Sequence, residues 1–231
     1  MAAAVADGPL KMTAVRARLV AGALASALLL AACGGSGSSG TATLTSTLPQ
    51  PTGPDGIGLQ AGTPLAQVTT TETGTSIDGV QCQQLEQLAH EREVYLQIYI
   101  YGHPRAVPGG IGMVSPNANQ TSTGVVYQAG QCYYWLHTDA ADGVILVDTP
   151  NVHTYNLGTF FDIWNRRLGR DHLAIWHAHV TAIVDGKPWL GSPRLIPLRQ
   201  HETIELAVGK SVPRLRAPNW SLLYGQPLIG G

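Results

Sequence analysis

From Gly34 to about Ser76 the chain is dominated by Gly, Ser, Thr and Pro, with very few charges and no aromatic residue. Such a stretch cannot bury enough apolar surface to offset the entropy lost on ordering it. It therefore confines folding to the residues C-terminal to it. The reading is a flexible tether over 33–76, one globular domain over 77–209 and an irregular tail over 210–231 carrying Pro213, Pro218 and Pro227. The domain is of ordinary single-domain size and has room for one core.

The residues ahead of the tether have a different order. Lys11, Arg16 and Arg18 come first, then an apolar run from Leu19 to Leu30, then Ala31, Ala32 and Cys33. The run is about 12 residues long, which suits the apolar part of a signal peptide and is short for a bilayer span. Leu30-Ala31-Ala32-Cys33 resembles a bacterial lipobox. That resemblance implies a signal peptide over 1–32 and acyl chains, palmitate among them, on Cys33. The protein would then be lipid-anchored on the extracytoplasmic side of a bacterial cell envelope. Burial of about 0.8 kcal/mol per CH2 makes two or three chains a stable anchor. Gly34, rather than Asp, follows the cysteine and points to the outer membrane if the organism has one.

An oxidising compartment makes Cys82 and Cys132 a disulfide, since Cys33 is taken by lipid. The formal net charge is -1, which is no footprint for nucleic acid. Among enzyme signatures, neither a P-loop, a dinucleotide fingerprint nor a His-Glu-x-x-His helix occurs. Gly35-Ser36-Gly37 echoes a nucleophile elbow only inside the tether. No catalytic residue is assigned, and a hydrolase is the least favoured of three readings.

Residues 95–101, Tyr-Leu-Gln-Ile-Tyr-Ile-Tyr, read as a strand. So do 111–114, 125–127, 133–136, 144–147, 179–185 and 203–208. A short helix is expected from Gln83 through Glu93, and Asn117 to Thr123 reads as a polar loop. Leu157, Phe160, Phe161 and Trp164 fall on one helical face behind Asn156 as N-cap. The expected fold class is α+β, a small mixed β-sheet packed on one helix in a β-grasp-like arrangement, with a small β-sandwich as the alternative. Glu93 to Pro104 and His177 to Pro188 share their spacing of strand, Gly and Pro, either as a repeated strand-turn unit or by coincidence.

His177-Ala178-His179 is the sharpest candidate for chemistry, because residues i and i+2 of a strand share a face. His137-Thr138-Asp139 has the same spacing, so the candidate metal ligands are His137, Asp139, His177 and His179, with Zn or Cu as the ion. His90, Glu91, Glu93 and His172 are weaker additions. The reading without metal is a protein-interaction module that meets an envelope partner through Tyr99, Tyr101 and Trp189, with Tyr133 and Tyr134 as further aromatics. Cys82, Gly102, the run Cys132 to Asp139, Asp142 to Ile145 and Leu157 to Trp164 together resemble a group of uncharacterised bacterial secreted proteins and lipoproteins with His-x-His and Leu-His-Thr-His motifs. That group's clustered histidines imply a metal site. Here Glu91, Glu93 and Tyr95 stand in the first run and Asp139 replaces the second histidine. The resemblance thus implies a more oxygen-rich set of Glu91, Glu93, His137 and Asp139, or a lost site.

Overall fold

The computed structural model describes residues 51–68, 73–209 and 217–222; Cys33 and the signal segment lie outside them. The strands are β1 (Cys82–Gln83), β2 (Glu93–Ile100), β3 (His103–Arg105), β4 (Met113–Gln120), β5 (Val125–Tyr134), β6 (Leu136–His137), β7 (Val144–Val147), β8 (Val180–Val184), β9 (Lys187–Trp189) and β10 (Thr203–Val208). The one α-helix among the described residues is α1 (Leu157–Ile163). No helix of the described residues is long and apolar enough to cross a membrane.

β2 organises the larger sheet, whose order is β6-β7-β2-β10-β8-β9. β2 runs parallel to β10, and every other pair is antiparallel. Along its other edge β2 meets β7 through Glu93–Tyr95 and β3 through Ile98–Ile100. Val94, Leu96, Ile98 and Ile100 point into the main core together with Ile204, Leu206 and Val208. α1 and its C-cap residue add Phe160, Phe161 and Trp164, all fully buried, with ring centroids 5.5 to 6.1 Å apart. Asn156 holds the N-cap position but makes no side-chain cap bond; the Leu157 amide instead donates to the Ile196 carbonyl at 2.8 Å. The smaller sheet is β1-β5-β4. β4 bulges between Val114 and Pro116, where Ser115 has φ 54°, and this lets a proline sit within a paired strand.

The architecture is β-rich with two sheets. It corrects the expected α+β class, because the seven-residue α1 is one component of a core built mainly by strands and cannot serve as the layer on which a sheet rests. Gln83 ends β1, Glu93 opens β2, and residues 84–92 between them form turns and irregular backbone rather than a helix, with Leu85 and Leu88 exposed. Asn117–Gln120 are strand, because the polar side chains face outward while the backbone pairs with β5. Part of the stretch read as tether packs on the domain: Ile57 and Leu65 are buried, and the Gln60 side-chain amide donates to the Leu96 carbonyl at 2.7 Å. In the tail, Trp220 packs against the cluster of Ile57, Tyr95, Val144 and Leu146 and stacks on His201. β2–β3 and β8–β9 are alike as hairpins. Each turns through two residues of positive φ, Tyr101-Gly102 and Asp185-Gly186, and each pairs a proline opposite the penultimate residue of the incoming strand.

A buried histidine among carboxylates

Two segments bring the site together. β6 places His137 across from Leu146 of antiparallel β7, so Asp148 follows one end of the pair and Asp139 the other, and both carboxylates reach toward the His137 imidazole between them. The Asp148 amide donates to the Trp135 carbonyl at 2.8 Å and closes its end of the pair. The stretch 108–112 braces β6 from behind. The Thr138 hydroxyl donates to the Pro108 carbonyl at 2.8 Å and accepts from the Ile111 amide at 3.1 Å. Gly112 makes this approach possible: it has φ +72°, and a Cβ there would lie 2.2 Å from the Leu136 carbonyl oxygen.

The His137 side chain is 0 % exposed. Its Nδ1 donates to the Tyr134 carbonyl at 3.1 Å, which leaves the Nε2 lone pair facing forward. Around Nε2 stand Asp148 Oδ2 at 3.6 Å, Asp139 Oδ1 at 3.7 Å and Glu86 Oε1 at 3.9 Å. These separations are too long for hydrogen bonds, and His137 Nε2, Asp139 Oδ1 and Asp148 Oδ1 are buried without a partner. Among the described residues the carboxylates of Glu86, Asp139 and Asp148 form no ion pair with Lys or Arg. The Asp148 side chain is 3 % exposed, Asp139 23 % and Glu86 34 %, so the cluster is closed at its base and open at Glu86.

The electrostatics follow from this crowding. Burial holds the His137 imidazole down to about 4, so it is neutral at neutral pH. Burial pushes the Asp139 carboxyl up to about 8, helped by Glu86, Asp55, Asp148 and Asp142. Asp148 rises to about 7 for the same reason, with Glu91, Glu86, Glu93 and Asp55 adding repulsion. Asp142, buried beside this group, rises to about 7 although its Oδ1 accepts the Val144 amide. A neutral imidazole with its rear nitrogen tied to a carbonyl and its lone pair aimed at carboxylates is the arrangement of a metal ligand. Two ligands each about 2.1 Å from one ion at tetrahedral angles stand about 3.4 Å apart, close to the distances from His137 Nε2 to each carboxylate, although Asp148 lies outside the trio that is mutually within ligand reach. Glu86, His137 and Asp139 each bring one ligand atom within 4.8 Å of the others.

Of the ligands expected from sequence, His137 and Asp139 come together here, and His177 and His179 do not. Both of those are exposed and precede β8 instead of lying on it, so the shared strand face does not exist. His179 Nδ1 lies 3.8 Å from Asp171 instead. Glu93 pairs with His201 at 3.5 Å, and Glu91 is exposed; neither joins the ligand group. Glu86 was concealed by the helix expected over its segment. Asp148 carried a usable signal, a lone carboxylate directly after the apolar run Val144–Val147.

Tyr99, Tyr101 and Trp189 do not form one surface. Trp189 pairs with Ala182, which pairs with Leu206, which pairs with Ile98, so Trp189 lies on the core face and Tyr99 on the other. The Trp189 indole N–H donates to the Ser192 carbonyl at 3.1 Å, and only Tyr101, in its turn, is exposed. Cys82 and Cys132 are joined as a disulfide with Cα atoms 5.5 Å apart, which ties β1 to β5. Comparison with protein-family models, with curated proteins and with solved structures finds no match.

Proposed function

We propose that this is a lipid-anchored protein of the bacterial cell envelope whose folded part binds a divalent transition metal through His137, Asp139, Asp148 and Glu86. The observation that carries the reading is the partnerless Nε2 of a fully buried His137 with carboxylate oxygens on three sides and no basic side chain to balance them. One imidazole with several carboxylates suits a borderline ion such as Zn2+ or Mn2+ better than Cu(I), which takes thiolates and thioethers. The reading is binding of the ion, and no catalytic step is assigned to it. The envelope address rests on Cys33 and its lipobox-like approach.

The test is metal content and calorimetric affinity of the full chain purified in detergent. One Zn2+ or Mn2+ per chain is expected, weakened more than about 100-fold by His137→Gln and unchanged by the His177→Ala, His179→Ala pair. Absence of metal binding, or binding that survives His137→Gln, would overturn the site. Fatty-acid labelling that persists in Cys33→Ser would overturn the anchor.

A further inference from the structure

An open pocket lies at the end of α1, in the loop over 165–172. It has a volume of about 460 Å³ and is lined by Arg166, Arg167, Arg194, His172 and one carboxylate, Asp162. The loop is held from within. Leu168 and Leu173 are buried and bridge each other, and the Gly169 amide donates to the His172 carbonyl at 2.9 Å. The Ala174 amide donates to the Arg167 carbonyl at 2.8 Å. Gly169 packs against the His172 ring so closely that a Cβ would lie 2.5 Å from it. The carbonyls at the end of α1 are already used, since Trp164, Asn165 and Arg166 donate their amides to Phe160, Asp162 and Phe161. The helix end therefore presents little negative potential to the cavity.

The charge does not cancel. Arg194 forks onto Asp162, with Nη1 donating to Oδ1 at 3.0 Å and Nη2 donating to Oδ2. Asp78 hydrogen-bonds the same carboxylate and belongs to that paired group. Arg166 is fixed by two carbonyls, its Nη1 donating to Asn165 and its Nη2 to Gln67, both at 2.9 Å, while its Nε is buried with no partner. Arg167 is exposed, and among the described residues it has no carboxylate partner. Arg194, Arg166 and Arg167 thus stand against Asp162 and Asp78, and Arg166 and Arg167, one of them held rigidly, have no carboxylate partner of their own among the described residues. A guanidinium recognises oxyanions by paired N–H donors, and two such charges match a dianion better than a carboxylate.

We infer that this cavity binds a phosphate monoester, through Arg166 and Arg167 with His172 at the wall. The site is separate in its residues from the His137 cluster, and it stands or falls independently of metal binding.

The experiment is titration of the full chain, with chelator present, by inorganic phosphate and by glycerol phosphate, followed by calorimetry and phosphorus NMR at low salt. Saturable binding with a Kd of about 1 mM or tighter is expected. Arg167→Gln should weaken it about tenfold without moving the thermal midpoint, because that side chain has no internal partner. His137→Gln should leave it unchanged. Three results overturn the inference: no saturation by either phosphate, equal binding by Arg167→Gln, or binding to phosphatidylglycerol vesicles alone.

Discussion

Asp148→Asn separates the stability of the empty chain from its affinity for metal, and the two should move in opposite directions. Asp148 rises from an ordinary 3.8 to about 7 because of burial and its acidic neighbours. A group whose folded pKa is raised keeps its proton longer in the folded state, so stability falls as pH climbs from about 4 through about 7. Three units correspond to about 4 kcal/mol at pH well above 7. Neighbouring carboxyls share that repulsion and relax when one is removed, so about 2–4 kcal/mol is the expected gain for Asp148→Asn near pH 8. The amide also offers an N–H toward the His137 lone pair, which the carboxylate cannot. Urea unfolding with chelator, read by the fluorescence of the chain's five tryptophans, measures this. The variant should be more stable than wild type near pH 8 and equal to it near pH 4. With Zn2+ at about 100 times Kd, wild type should gain about 2.7 kcal/mol and the variant far less. A variant that is less stable than wild type near pH 8 without metal would refute the reasoning.

Metal binding should release protons and tighten with pH between about 6 and 8, because Asp139 and Asp148 titrate at about 8 and about 7 and must be ionised to coordinate; calorimetry in buffers of different ionisation enthalpy counts them. Reducing the Cys82–Cys132 bridge, which closes a separation of 50 residues, should cost about 4 kcal/mol in the chain-entropy model. It should also weaken metal binding, since Glu86 sits four residues beyond Cys82 on an otherwise exposed segment. Gly112→Ala should cost at least about 2 kcal/mol, through strain at positive φ and a clash with the Leu136 carbonyl. Displacing β6 in this way should also lower metal affinity, as unfolding midpoints and metal titration would show.

The range of the forces involved decides which features were legible in the chain. β7 and β10 have the expected bounds, and α1 presents the expected face, because burial writes a local period into apolar residues. The second half of β4 left no such trace, since Asn117–Gln120 gain their order from backbone pairing with β5 while their side chains face water. Ile57 and Leu65 are single apolar residues in a Gly- and Thr-rich stretch, too sparse to reveal that they cover a sheet. The ligand cluster was half legible. His137 and Asp139 are neighbours in sequence, but Asp148 and Glu86 arrive through strand pairing and a disulfide, which no local pattern encodes.

A net charge of -1 conceals a strong separation of sign. Glu86, Asp139, Asp142 and Asp148 gather near the ends of β6 and β7 with no Lys or Arg ion pair among the described residues, while Arg166 and Arg167 stand without a carboxylate partner of their own in the loop after α1. Solubility alone is served best by interspersing charges of both signs. Keeping like charges together costs stability in the empty protein, as the raised carboxyls of Asp139 and Asp148 record. That cost is relieved by proton uptake near neutral pH or by an oppositely charged ligand, since a ligand that binds the folded state alone stabilises it by mass action. The acidic cluster calls for a cation and the basic cavity for an anion. A fold that bound neither would gain stability from neutral residues at both places.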